Sequence, residues 1–480
     1  MDVRAKAAHA ADAPRDEETQ RVATLVARAR AAQRNFEHAG QTALDTAAAA
    51  AAWAIMEPSR NRRLAELAVR DTGLGNVEDK FRKNFRKTLG LLRDLHGQPT
   101  CGVISRNAET GIVEIARAVG VVAAVTPSTN PAATPANKIV NALKCGNAVI
   151  VSPSPKGHSS CALLVDFIHE QLEKAQLDPA LVQVLPEPVS KAASVALMRA
   201  ADLVVATGSQ SNVRMAYGSG TPAFGVGAGN VASIVERSAD LRDAARKIAL
   251  SKTFDNATSC SSENSLVIED AVYAEMIDAL KRSGGAMFDA DQKARLQAAM
   301  WREGKLSERC TAKSATVIAQ VAGLDEIAAR EPKFLMVEEE GFGPEHPFSG
   351  EKLSPVLAIY RARDFADAER IVRELYAYMG AGHSVGLHTA QTSLAVELGE
   401  RLPVARVIVN QAHCLATGGN FDNGLPFSLS MGCGTWGRNN FSGNLNFRHY
   451  LNVTRVAYPI EERVPSVEAL LGDYFARVGR

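Results

Sequence analysis

Apolar and polar positions change their period twice along the chain. From about Glu17 to Leu95, Ala, Leu and Arg recur at helical spacing and predict a helical region. The alanine run at 47–52 extends to Met56 and is too short to cross a bilayer, so it predicts a buried or oligomer-facing helix. IVEIARAV (112–119) alternates as a strand or hairpin does. VVAAV (121–125), NAVIVSP (147–153), a short run at 182–185 and DLVVATG (202–208) then alternate with helical stretches, one starting near Pro135 and one over about 159–174. That rhythm predicts a parallel, doubly wound sheet. GVGAGN, ending at Asn230, punctuates the chain, and a second series opens with SIVE (233–236). The expectation is an α/β fold with two doubly wound domains, one from 1–101 with 121–230 and one over 231–443. NFRHYLNVTRVAYPI (446–460) alternates without following helices, and its expected partner is the hairpin at 112–119. Segments 102–120 and 444–460 together predict a β arm for oligomerisation, with a C-terminal helix over 461–480.

Charge and composition narrow the class. The chain has 480 residues, 46% apolar and 22% charged, with 54 Lys and Arg against 53 Asp and Glu, a net +1. This balance predicts no nucleic-acid footprint and no strong pull toward an anionic membrane. Seven dispersed cysteines, without a CxxC pair or a His/Cys cluster, argue against a disulfide framework and against a metal site. The opening residues lack an apolar stretch of secretory type, so a cytoplasmic protein is expected.

Candidate chemistry concentrates in SKTFDNATSCSSENSLVIED (251–270). A single cysteine is ordinarily a small buried hydrophobe. Cys260, however, stands in a polar loop just after the expected domain boundary, where backbone donors favour a thiolate. Asn130 in TPSTNP follows a strand, the place of a simple turn former or of a pocket residue. Thr207, Gly208 and Ser209 lie where a strand gives way to a helix, so their amides suit a pyrophosphate, although such turns are common. Glu351 is either a solvated acid or a ligand-binding one, and His383 either a structural histidine or a base.

TFDNATSCSSEN (253–264) resembles the cysteine loop of CoA-acylating aldehyde dehydrogenases. The likeness runs from about Thr100 to Asn452 through VTPSTNP (125–131), LKCGNAVIVSPSPKG (143–157), ATGSQ (206–210), GTPAFGVGAGN (220–230), EKLSPVLAIYRARDF (351–365), GHS (382–384) and MGCGTWG (431–437). The resemblance implies a cysteine nucleophile at Cys260 and an oxyanion donor at Asn130, joined by the Cys260 N–H. It implies NAD or NADP as coenzyme, held by Thr126, Ser152, Pro153, Thr207, Gly208, Ser209, Gly227, Glu351 and Leu353. Glu351 would meet the nicotinamide ribose, and His383 would be a base toward the CoA thiol.

One departure separates subclasses. Hydrolytic members carry Glu-Leu-Gly-Gly, whose glutamate activates water; here Gly225, Val226, Gly227 and Ala228 stand in that place. Water is a far weaker acid than a thiol, which ionises at about 8.5, so CoA needs less help as acceptor. Hydrolytic dehydrogenases, acyl-phosphate reductases and a binding protein that has lost turnover are the rival readings. The segments at 411–437 and 439–452 are most similar to the sulfoacetaldehyde branch, with acetaldehyde or propionaldehyde as the alternative substrate. A sulfonate needs donors, and Thr258, Ser259 and Arg438 are the candidates for it, unless they are ordinary loop residues. Pro155 stands where an acid would repel a 2′-phosphate, with Lys156 and His158 following, which leans toward NADP. A homodimer or homotetramer is expected.

Overall fold

Four helices occupy the first fifth of the chain: α1 (Val3–Phe36), α2 (Gly40–Met56), α3 (Pro58–Thr72) and α4 (Val77–Leu95). The computed structural model describes residues 3–480, with side chains from Glu17 onward; residues 1 and 2 of the expected first domain lie outside it. Helix α2 buries Ala47, Ala48, Ala51, Ala52 and Ala54. Small side chains at these positions let it lie close against α4, the helix Ala133–Lys144 and the helix His158–Lys174. The alanine run is therefore part of this chain's own core. Helix α4 is capped by Asn76, whose side chain accepts from the Asp79 N–H.

Two parallel sheets follow. The first has five strands in the order Val182–Val184, Ala148–Pro153, Val121–Thr126, Leu203–Thr207 and Ala223–Val226. Every residue of Val121–Thr126 and Ala148–Pro153 is buried, as expected for strands covered by helices on both faces. The strand order reverses at Val121–Thr126, and in such sheets ligands bind at the carboxyl ends beside that reversal. Lys138, wholly buried in the helix Ala133–Lys144, donates to Val125 O at 2.6 Å and Val205 O at 2.8 Å. It ties together the two strand ends between which the cleft opens.

The second sheet has seven strands, ordered Gly285–Met287, Phe334–Glu338, Val356–Ala362, Glu263–Glu269, Val231–Val235, Val385–His388 and Val407–Val409. A separate antiparallel sheet joins Gly102–Asn107, Ile112–Ala118 and Leu451–Ala457. Val453 and Val456 are exposed on it, as are Leu470 and Tyr474 on the final helix Val467–Val478. Among the described residues no helix is long and apolar enough to cross a membrane.

Candidate active site

Helix Leu241–Thr253 is followed, after Phe254, by three successive residues of positive φ, Asp255, Asn256 and Ala257 (51°, 50° and 58°). Such backbone costs of order 1–3 kcal/mol per residue and persists only where the surroundings hold it. Here the clamp is Asp255. Its carboxylate accepts from Lys83 at 2.6 Å, Lys80 at 3.1 Å, Thr258 Oγ1 at 2.7 Å and the Asn76 N–H at 3.0 Å. Burial opposes its ionisation, but Lys83 and Lys80 together hold the carboxyl below its ordinary range. Helix α4 thus fixes the loop that presents Cys260.

Cys260 is half-buried, its sulfur 3.5 Å from His383 Nε2. The other ring nitrogen of His383 lies 2.7 Å from Ser384 Oγ. Burial, then Arg406 and His413, keep His383 well below its usual range, so the imidazole is neutral. With Nδ1–H given to Ser384, Nε2 is free to take a proton. Burial pushes the Cys260 thiol up to about 12, helped by Glu351 and Cys433 and opposed by Arg406. The resting group is a thiol beside a neutral base. Gly229 packs against both residues: a Cβ there would stand 2.5 Å from Cys260 O and 3.0 Å from His383 Cδ2.

Glu351 Oε1 accepts from the Gly229 N–H at 3.3 Å, and burial raises its carboxyl to about 7. Asn130 lies on the other side, its Oδ1 accepting from Lys83 Nζ at 2.8 Å. That contact turns the amide NH₂ away from Lys83, and among the described residues it meets no acceptor. Asn130, Ser259 and Ser261 line one cavity, so Cys260 sits between two wall residues.

Lys83, Arg86 and Lys87 of α4 line the same cavity, with Phe254, Leu415 and Met431 as apolar walls. Sequence reasoning missed these cations. The spacing i, i+3, i+4 was visible, but in KFRKNFRK (80–87) it looks like a solvated face. Of the residues expected to meet a sulfonate, only Ser259 lines this cavity. The Thr258 hydroxyl is given to Asp255. Arg438 adopts φ 57° after the turn Thr435–Gly437 and lines a different cleft, with Gln210, Arg214, Gly227 and Ala228.

A third cleft lies at the carboxyl ends of the first sheet and is lined by Thr126, Ser152, Pro153, Pro155, Lys191 and Ser209, among others. No carboxylate contributes to it. Ser209 caps the helix Gln210–Tyr217, accepting from the Asn212 N–H. Thr207 Oγ1 lies 2.6 Å from Ser430 Oγ. Gly208 precedes the Ser209 cap, and Gly227 lines the neighbouring cleft across the Gln210 side chain. Leu353 has φ 41° and accepts from the Ala312 N–H through its carbonyl. Lys156 and His158 do not line the cleft: Lys156 pairs with Glu308 at 3.0 Å, and His158 Nε2 lies 2.9 Å from Leu185 O. Lys191, unnoticed in the sequence, is the base that does. At Gly225 a Cβ would lie 2.8 Å from Val213 Cγ1 and 3.1 Å from the Tyr217 ring, so no acid side chain fits there without displacement.

A cleft at a doubly wound switch point, with a histidine-paired cysteine leading into a strand of a second parallel sheet, is the architecture of a dinucleotide-linked thiol enzyme. The sequence pattern of the aldehyde dehydrogenase family matches residues 4–308. The chain is 68% identical over 467 residues to a sulfoacetaldehyde dehydrogenase (acylating) of Cupriavidus necator, covering 97% of this chain and 95% of that one. It is 40% identical to a protein of the same description from Bilophila wadsworthia, over 94% of this chain and 98% of that one. The crystal structure of an acetylating aldehyde dehydrogenase from Geobacillus thermoglucosidasius superposes with a TM-score of 0.90 at 33% identity, covering 94% of this chain and 99% of that one. The chain belongs to the aldehyde dehydrogenase family.

Proposed function

We propose that this protein is a CoA-acylating dehydrogenase that converts sulfoacetaldehyde to sulfoacetyl-CoA with NAD(P)+ as hydride acceptor. The observation that carries the substrate is the 68% identity, over nearly the whole of both chains, to the Cupriavidus necator protein. The site's chemistry agrees with it. His383 Nε2 takes the proton of the Cys260 thiol, and the sulfur attacks the aldehyde carbon to form a thiohemiacetal. The Asn130 amide and the Cys260 N–H donate to the oxygen as it gains negative charge. The carbon then loses hydride as the oxygen's charge re-forms the carbonyl, leaving a thioester on Cys260, and His383 releases the thiol proton to solvent. His383, neutral again, takes the proton of the CoA thiol, whose sulfur adds to the thioester carbon and displaces the Cys260 thiolate, which recovers that proton from His383. Gly225 offers no carboxylate to activate water instead.

The residues present fit the coenzyme. Thr126, Ser152, Pro153 and Ser209 line a cleft without acids, where a phosphate meets helix amides, and Glu351 suits ribose hydroxyls. When bound, NAD(P)+ supplies the hydride acceptor. We further propose a homodimer or homotetramer built on the exposed antiparallel sheet. Seven free cysteines suit the reducing cytoplasm.

The test is a turnover matrix of sulfoacetaldehyde, acetaldehyde and propionaldehyde, each with and without CoA and with each coenzyme. The expected result is strict dependence on CoA and highest kcat/KM for sulfoacetaldehyde. Comparable turnover without any thiol acceptor would return the protein to the hydrolytic class.

A further inference from the structure

Helix α4 carries Lys80, Lys83 and Lys87 at successive turns of one face, with Arg86 beside Lys87. One carboxylate, Asp255, answers them, and it contacts only Lys80 and Lys83. Lys87 Nζ instead donates to three backbone carbonyls, Leu415 O at 3.2 Å, Gly418 O at 3.1 Å and Gly419 O at 2.8 Å. It also lies 5.3 Å from the centre of the Phe427 ring. Arg86 donates to Asn420 Oδ1 at 2.6 Å and lies over the Phe421 ring. Neither has a carboxylate partner among the described residues, and both line the cavity that holds Asn130 and Ser259.

Lys87 is half-buried and Arg86 exposed; an ammonium partly withdrawn from water without a counter-ion is costly, and carbonyl dipoles offset only part of that cost. Burial pushes Lys87 down to about 7; the Arg86 and Lys83 charges on its own helix add to this, and Cys414 from the facing turn opposes it. The cavity has no acid in its lining, so its polar end is set for an anion, while Phe254, Leu415 and Met431 suit a short methylene.

We infer that Arg86 and Lys87 form the subsite that binds the substrate's sulfonate and so select an anionic aldehyde over a neutral one. This rests on the substrate reading above. Arg86 offers a planar fork and Lys87 a point charge, and a tetrahedral sulfonate has three equivalent oxygens to share between them. Lys83 is excluded from this role, because the Asp255 carboxylate already neutralises its ammonium.

The test compares Arg86→Gln and Lys87→Met with the wild type, using sulfoacetaldehyde and propionaldehyde with CoA. In each variant the ratio of kcat/KM for sulfoacetaldehyde over propionaldehyde falls roughly tenfold or more, the scale of a lost charge-assisted contact. As a second readout, ethanesulfonate competes with propionaldehyde in the wild type, and its inhibition weakens by a similar factor in Arg86→Gln. Should Lys87→Met fail to fold for want of its carbonyl contacts, Arg86→Gln still decides the matter, since the side chain it replaces contacts Asn420 and the Phe421 ring. A wild type that prefers propionaldehyde overturns the substrate reading. A wild type that prefers sulfoacetaldehyde, with the ratio unmoved by either change, overturns the subsite alone.

Discussion

Lys83 holds Asn130 by its side-chain oxygen, at 2.8 Å, and so decides which end of that amide faces the cavity. The same ammonium grips Asp255 at 2.6 Å, within the strained turn before Cys260. One side chain therefore sets both the donor and the loop bearing the nucleophile. Asn130→Ala is expected to lower kcat by about 10²–10³, as loss of one oxyanion donor does. Lys83→Met should lower kcat substantially through the same amide. In a double-mutant cycle the two losses should overlap, because Lys83 acts partly through Asn130. Strictly additive losses would separate Lys83 from the oxyanion site.

The Cys260 thiol is protonated at rest, because burial raises it to about 12 and the nearby Glu351 adds to the shift. Alkylation of the free enzyme by iodoacetamide should therefore keep accelerating with pH, without levelling off near the ordinary thiol value of about 8.5. Glu351→Gln removes a negative charge beside the thiolate and so lowers the thiol pKa. At a fixed pH of about 8 that variant should be alkylated faster than wild type. The check is a pH profile of inactivation with Cys260→Ala as blank, and a plateau at or below about pH 8 in wild type would contradict it.

What was legible in the sequence divides along physical lines. The strands of the first sheet were readable because burial on both faces leaves continuous apolar runs such as VVAAV and AVIV. Cys260 and Asn130 could be singled out because each sits in a polar loop beside an apolar run, and Gly225 because the family resemblance puts a glutamate in its place. Lys83, Arg86 and Lys87 could not, since their significance depends on packing α4 against loops far along the chain, at Asp255 and Thr258 for Lys83 and at positions 415–420 for Arg86 and Lys87. Arg438 misled for the converse reason. It is close in sequence to pocket loops, but the left-handed turn at that residue aims it toward another cleft. Lys156 and His158 follow the right strand, yet Glu308 and the Leu185 carbonyl engage them elsewhere.

Restoring the missing acid should not restore hydrolysis. Gly225 lies buried in the strand Ala223–Val226, its N–H 3.1 Å from the Tyr217 hydroxyl and its Cβ position filled by Val213 and the Tyr217 ring. Gly225→Glu therefore overpacks the helix Gln210–Tyr217 and buries a carboxyl without a partner. The expected cost is about 1–3 kcal/mol, seen as a lower Tm, with no CoA-independent turnover gained. A stable variant that releases free acid at a rate near the CoA-dependent one would show that the strand has room for a working base.

Coenzyme choice turns on Lys191. It opens the helix Lys191–Ala200 behind the Ser190 cap and lines the cleft together with Ser152, Pro155 and Ser209. Enzymes that select NAD place an acid against the ribose 2′-hydroxyl, which repels a 2′-phosphate. Here the cleft is lined by no acid, and Lys191 supplies a charge that a phosphate can use. NADP+ should accordingly give the higher kcat/KM in wild type. Replacing Lys191 with Ala should erode the NADP+ over NAD+ ratio by roughly tenfold, the worth of one charge-assisted hydrogen bond. Steady-state kinetics with both coenzymes at saturating aldehyde and CoA provide the measurement. A wild type about tenfold better with NAD+ would mean that the 2′-phosphate finds no partner, and that the absence of an acid does not by itself select NADP+.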